Sequence, residues 1–259
     1  MSADGLCLEC HGLHKRFGDV VAVETLDLAI PRGCFYGLLG PNGAGKSTSI
    51  GLLTGMLRPT AGTIRVFGVP LDADAPAFKG RIGLATEQPP LFSRLRGREQ
   101  LIFAGQMQGL PAPEAASRAD ELLQLLSLEG AAQELIADYS RGMRKKLALA
   151  VALIHAPELL FLDEPFEGVD AHSAEVIRKV LTALAAAGAT ILLTTHILVI
   201  AEELCERVGV LHQGKLAGEV EVANLGKTGR SLRETFFELV GAHEALEVPS
   251  WLAPLPGDR

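Results

Sequence analysis

Nine residues, "GPNGAGKST" from Gly40 to Thr48, constrain this chain more than any other stretch. They fit G-x-x-x-x-G-K-[ST], with the apolar run "CFYGLLG" before them and the helical run "KSTSIGLLTGML" overlapping their end. The glycines let the backbone curl so that successive N–H groups face phosphate oxygens, and the following helix adds the positive end of its dipole. In this reading Gly40, Pro41, Asn42, Gly43, Ala44, Gly45, Lys46, Ser47 and Thr48 form a phosphate cradle. Lys46 reaches the outer phosphates and the Ser47 hydroxyl ligates a magnesium ion. The loop by itself leaves an ATPase, a GTPase and a small-molecule kinase open.

A second motif narrows the chemistry. "LLFLDEP" ends an apolar strand with two carboxylates, Asp163 and Glu164. Acids at the tip of a hydrophobic strand are costly unless a cation or a substrate uses them. Asp163 fits the holder of magnesium at such a site, and Glu164 the general base that orients and polarises an attacking water. "LLTTH" leaves His196 at the end of another strand, where α/β sheets place their ligands. Gln88 follows the strand "RIGLATE"; neutral, with both donor and acceptor, it suits contact with a magnesium-bound water.

The rest of the chain alternates in a way that suits these motifs. The first thirty residues read as strands, "LCLECHGLHKRF" and "VVAVETLDLAI", and "GTIRVFG" follows the phosphate loop as another. From Pro89 to His155 the texture is helical: "GREQLIFAGQMQGL", "EAASRADELLQLLSL", and the helix that follows "DYSRGM". Strand–helix alternation then resumes through "VGVLHQG", the pattern of a parallel sheet covered by helices. Beyond Ala223 the signal weakens to a short amphipathic helix, "SLRETFFELVG", and a proline-containing tail, "EVPSWLAPLPGDR".

Composition excludes several classes. A formal net charge of -7 rules out a chain that coats nucleic acid by charge alone. The longest apolar runs, such as Leu147 to Ile154, stop far short of the roughly 20 residues of a spanning helix. Four cysteines and no basic-apolar leader are expected of a cytoplasmic chain in a reducing compartment. "CLECH" has the form of a haem-attachment motif, but it lies in a strand whose alternation would part Cys7 and Cys10, and it reads as two unpaired strand cysteines.

One stretch is left over: "DYSRGMRKKLALA", where Ser140, Arg141, Gly142, Arg144, Lys145 and Lys146 crowd the mouth of an apolar helix. Taken in order, Phe17, "GPNGAGKST", Gln88, "YSRGM", "LLFLDEP", Asp170 in "EGVDA" and His196 resemble the nucleotide-binding subunit of an ABC transporter. The resemblance spans residues 17–196. It implies an α/β phosphate-loop NTPase fold with a RecA-like parallel sheet, an N-terminal antiparallel β subdomain and a helical subdomain inserted at about 89–156. The ATPase domain would cover 1–222, leaving 223–259 as a C-terminal helix and tail. It also implies ATP and Mg2+ as ligands, Phe17 stacked on adenine, and Ser140 and Gly142 meeting the γ-phosphate held by another chain's loop. Asp170 belongs to the same nucleotide-binding set. Arg141, Arg144, Lys145 and Lys146 either strengthen the attraction for phosphate or solvate the helix.

The implied partners are a transmembrane permease subunit and a second copy of the chain or a related ATPase subunit, at the cytoplasmic face of the membrane, with no nucleic acid. Departures from the family pattern exist. Tyr139, Arg141 and Met143 replace the first, third and fifth residues of the common L-S-G-G-Q, and no proline follows Asp170. "YSRGMRKKL", "LFSRLRGREQL" and "SLRETFFELVG" resemble the branch that moves drugs, lipids, polysaccharides or other solutes outward. In that branch the surface around Pro89 to Leu101 would receive a short helix of the membrane subunit, with Leu91, Phe92 and Leu95 either its apolar contacts or core of the helical insert. The alternative from within the same family is a soluble ATPase acting on ribosomes or DNA.

Overall fold

A computed structural model of the chain describes residues 5–71 and 80–241. The tail "EVPSWLAPLPGDR" lies outside the described residues.

Three short apolar strands set the centre of the molecule: β3 (Phe35–Leu39), β7 (Leu159–Asp163) and β8 (Thr190–Thr195), each buried at every position. Side chains on both faces of such strands must be covered, which requires helices on either side of a parallel sheet. The described strands form one sheet in the order β5-β4-β1-β2-β10-β9-β3-β8-β7-β6. The run from β9 (Arg207–His212) through β3, β8 and β7 to β6 (Ile82–Ala85) is parallel. At the other end β1 (Leu6–Phe17), β2 (Val20–Pro31), β4 (Ala61–Val66) and β5 (Val69–Pro70) are antiparallel, as the N-terminal strands predict. Cys7 and Cys10 of β1 are both buried, and their thiols are free.

Register is what assembles the functional end. Leu39 pairs with Thr195, and Asp163 with Thr194. The loop after β3, the acids of β7 and the histidine after β8 therefore leave the sheet at one level.

The helix after the phosphate loop, α1 (Lys46–Leu53), is shorter than its apolar run suggests. Thr54 caps it and Gly55, at φ 75°, turns the chain away. The helical insert consists of α2 (Gly97–Met107), α3 (Ala112–Leu125) and α4 (Arg141–Leu153), with two single 3-10 turns before α4. Gly105 lets α2 approach Ala115 of α3, and a two-pronged Arg98–Asp120 pair at 2.6 and 2.9 Å ties their exposed sides. Helices α5 (Ala171–Ala186) and α6 (Leu198–Leu204) complete the cover.

At the C-terminal end the structure adds a strand and a helix that the sequence pattern did not announce, ahead of the short helix that it did. Gln213 and Gly214, with φ of 48° and 74°, make a two-residue hairpin from β9 into β10 (Lys215–Glu221). α7 (Val222–Thr228) follows directly, and then α8 (Leu232–Val240), opened by a Ser231–Glu234 capping box. Leu225 and Leu232 are buried in the same core cluster as β7 and β8, so residues beyond 222 pack onto the main body.

Candidate functional site

The phosphate loop leaves β3 at Gly40 and enters α1 at Lys46. Gly45 stands at φ 104°, and a Cβ there would lie 2.5 Å from the Ala22 carbonyl oxygen, so only glycine fits both the turn and the neighbouring strand. Lys46 is buried, and its Nζ donates to the carbonyls of Gly40 and Pro41 at 2.7 and 3.1 Å. The same ammonium lies 3.1 Å from Glu164 Oε1.

At the end of β7 the two acids have different partners. Asp163 Oδ1 accepts from Thr194 Oγ1 at 2.6 Å and from Ser47 Oγ at 3.3 Å. A carboxylate and a hydroxyl at the foot of a phosphate cradle form the hard oxygen set that magnesium prefers, so these two residues fit the ion the family implies. Glu164 is 6% exposed and has φ 47°, a left-handed conformation that costs a non-glycine residue about 1–3 kcal/mol. Three bonds hold it there: its N–H donates to the Thr194 carbonyl and hydroxyl, both at 3.2 Å, and its carbonyl accepts from Lys145 Nζ at 2.9 Å.

His196 follows β8 with Nδ1 3.1 Å from Glu164 Oε2 and Nε2 3.2 Å from Glu167 Oε2. These side chains and the phosphate loop line one cleft of about 390 Å³, with Val20, Val21, Ala22 and Glu87 opposite. Phe17, 46% exposed at the end of β1, pairs with Val20 beside that cleft, and Lys15 Nζ lies 4.7 Å from its ring centre.

Two sets of expected residues stand apart from this cleft. Gln88 lines an adjoining cleft of about 460 Å³ together with Arg141, Arg144 and Lys145; Glu87 and Glu167 border both. Ser140 and Gly142 line neither. Ser140 caps α4, its Oγ accepting the Met143 N–H at 3.2 Å. Gly142 is packed against Asp170 and Ser173, and Asp170 in turn caps α5, accepting the Ser173 N–H at 2.9 Å. Those N–H bonds hold the Asp170 carboxyl below its usual range.

The basic crowd on α4 divides: Arg141 and Arg144 are exposed, whereas Lys145 and Lys146, 8% and 3% exposed, do not solvate the helix and so correct that reading. Lys145 binds the Glu164 carbonyl, and Lys146 Nζ donates to the Ser127 carbonyl at 3.1 Å. Desolvation lowers the pKa of each, opposed at Lys145 by the surrounding carboxylates of Glu87, Asp163, Glu164 and Glu167. Arg144 Nη2 donates to the Ala137 carbonyl at 2.7 Å, and Arg141 covers Gly168. Tyr139, a departure from the common motif, is buried over Gly97 with its hydroxyl donating to the Ala131 carbonyl at 2.8 Å. Of the apolar residues after Gln88, Leu91 and Leu95 pack on the core, while Phe92 is exposed and edge-on to Phe103 at 5.5 Å.

A glycine-rich loop between strand and helix and an acid pair two strands away, at the same end of the sheet, define a phosphate-loop nucleotide site. The comparisons narrow that class. The ABC transporter family pattern matches residues 23–167. The daunorubicin/doxorubicin resistance ATP-binding protein DrrA of Streptomyces peucetius is 40% identical over 82% of this chain and 64% of its own length. The bacitracin transport ATP-binding protein BcrA of Enterococcus faecalis is 34% identical over 88% of this chain and 73% of its own. A solved ATP-binding subunit of an ABC transporter superposes with a TM-score of 0.81 at 32% identity, over 90% of this chain and 99% of that one. An ATP-binding cassette solved as a post-hydrolysis dimer with ADP and Pi gives 0.77 at 26% identity, over 83% and 98%. The chain belongs to the ABC transporter family, with the fold of its ATP-binding cassettes. It spans less than two thirds of DrrA, and 66% of the daunorubicin resistance ATP-binding protein DrrA3 of Streptomyces coeruleorubidus. Among the described residues no helix is long and apolar enough to cross a membrane.

Proposed function

We propose that the chain binds and hydrolyses ATP as the energy-coupling subunit of an ABC transporter, driving outward transport through a separate membrane permease from the cytoplasmic face. One observation carries this reading: the machinery is divided. The phosphate loop, Glu164 and His196 share one cleft, with Asp163 behind Ser47 at 3.3 Å, whereas Ser140 and Gly142 stand at the N-terminus of α4 outside it. A second copy, facing the first, would bring that helix end and its dipole to the open side of the cleft. Each of two nucleotides is then enclosed by both chains, and closure draws its free energy from the higher affinity of the closed state for ATP.

Within the cleft the residues divide the chemistry. Magnesium, bound with ATP, supplies positive charge against the phosphate oxygens, and Ser47 and Asp163 would hold it. Lys46 exchanges its carbonyl and Glu164 contacts for phosphate oxygens. Glu164, released from Lys46, accepts the proton of the attacking water. Gln88, at the border of the adjoining cleft, would reach a water of the bound ion and, being neutral, could leave it without a charge penalty. Phe17 offers an aromatic face to adenine. Relatives named for daunorubicin resistance, bacitracin transport and Nod factor export support the outward direction.

A tagged Glu164→Gln chain, purified in mild detergent with MgATP present, tests the reading. A polytopic membrane protein in fixed stoichiometry is the expected companion. Recovery with ribosomes, surviving high salt, would replace transport with the soluble alternative.

A further inference from the structure

The loop after β7 carries an acid that the family motifs do not account for. Glu164, Pro165, Phe166 and Glu167 make a tight turn, closed by the Glu167 N–H donating to the Glu164 carbonyl at 3.2 Å. Proline at its second position presets the backbone, and Phe166, 6% exposed, anchors it in the core. The turn returns the Glu167 carboxylate to the histidine that Glu164 already touches. His196 is thus held from both sides, Nδ1 toward Glu164 and Nε2 toward Glu167. A neutral imidazole has one N–H and serves one of these acids; an imidazolium serves both. The three groups offer ligand atoms within 4.8 Å of one another. The two carboxylates address opposite ring nitrogens, Glu164 through a hydrogen bond to Nδ1 and Glu167 through an ion-pair contact with Nε2.

We propose that Glu167 is a positioning residue for His196 that holds its Nε2 against the incoming triphosphate and so weakens the affinity of the site for ATP. The inference rests on the nucleotide site assigned above. Two effects act in the same direction. Glu167 and His196 both line the cleft of the phosphate loop, so a carboxylate borders the path of a polyanion. In addition, the Glu167 carboxylate sits 3.2 Å from Nε2 and must give way before that nitrogen meets a phosphate oxygen. Without nucleotide, the two side chains best suited to phosphate, Lys46 and His196, are each matched by a carboxylate of this loop.

The test uses the full chain and two variants, Glu167→Gln and Glu167→Asp. Binding is read with trinitrophenyl-ATP and magnesium, turnover by ATP hydrolysis, and the His196 ring by 15N-imidazole NMR. Glu167→Gln should tighten probe binding about two- to fivefold and lower KM more than it alters kcat, the scale of one half-exposed ion pair. Glu167→Asp keeps the charge but is one methylene short of the ring, and should shift binding the same way by less. The Nε2 signal should move in Glu167→Gln without nucleotide, and in the wild type when AMP-PNP is added. Unchanged or weaker binding by Glu167→Gln overturns the proposal. Tightening by Gln but not by Asp also overturns it, since charge alone would then suffice. A wild type that binds no nucleotide would instead remove the site assignment itself.

Discussion

Lys145 ties the helical insert to the loop after β7, and Lys145→Met isolates that tie. Methionine keeps the length and packing of the stem and removes only the ammonium. A hydrogen bond from a charged group contributes about 1.5–3 kcal/mol. Against this, burial disfavours the ammonium, so its removal returns part of that sum. The Glu164 carbonyl is not orphaned, because the Glu167 N–H still donates to it at 3.2 Å. The expected net loss is about 1–2 kcal/mol, which for a chain of this size lowers Tm by about 2–8 °C. Calorimetry reads that loss. Hydrolysis reads the second consequence: with the left-handed Glu164 less firmly held, kcat should fall several-fold while KM for ATP changes little, since Lys145 does not line the nucleotide cleft. The pH dependence has a definite sign. The folded value of Lys145 lies below the ordinary 10.5, so in the window just below 10.5 the unfolded chain holds more protons and stability rises with pH. Lys145→Met should lack that rise. A variant as stable as wild type, with full turnover, would refute the reasoning.

Other expectations follow from the same geometry. Thr194→Val removes the 2.6 Å donor to Asp163 and one partner of the Glu164 N–H; denaturant titration should show a loss of about 1–3 kcal/mol. Its hydrolysis should also need more magnesium for half-maximal rate, and an unchanged requirement would separate Thr194 from the ion's residues. Gly142→Ala places a Cβ 2.5 Å from Asp170 Oδ2 and Ser173 Oγ, so α4 and α5 must part at about 1–3 kcal/mol; an unshifted denaturation midpoint would contradict that packing. Burial pushes the Cys10 thiol up to about 12 and Cys34 to about 11, and Cys7 and Cys205 are buried as well. Ellman's reagent at pH 8 should label none of the four until the chain is unfolded, and native-state labelling would place a thiol at the surface.

Much of the site was legible because the chemistry needs particular residues at strand ends. The phosphate loop, Asp163, Glu164 and His196 are each announced by an apolar run that stops at them, and the sheet register then aligns them. The helical insert was legible from its apolar period. Buried Lys145 and Lys146 were not, because a cation on a helix reads as a solvated face. Their carbonyl partners, Glu164 and Ser127, are distant in sequence, and only tertiary packing brings them near. Glu167 escaped notice for a similar reason: its role depends on a turn that folds it back beside Glu164. β10 was hidden by "KLAGEVE", whose inward positions include few large apolar residues, although the Gln-Gly hairpin before it was a usable signal.

The central claim is that Ser140 and Gly142 act on the nucleotide of another copy. Sedimentation velocity of Glu164→Gln with and without MgATP, alone and combined with Ser140→Arg, tests it most directly. A monomer should become a dimer on adding MgATP, and Ser140→Arg should abolish the dimer while the monomer still binds ATP with unchanged Kd. A dimer that persists with Ser140→Arg, or a monomer that loses ATP binding with it, would contradict the account.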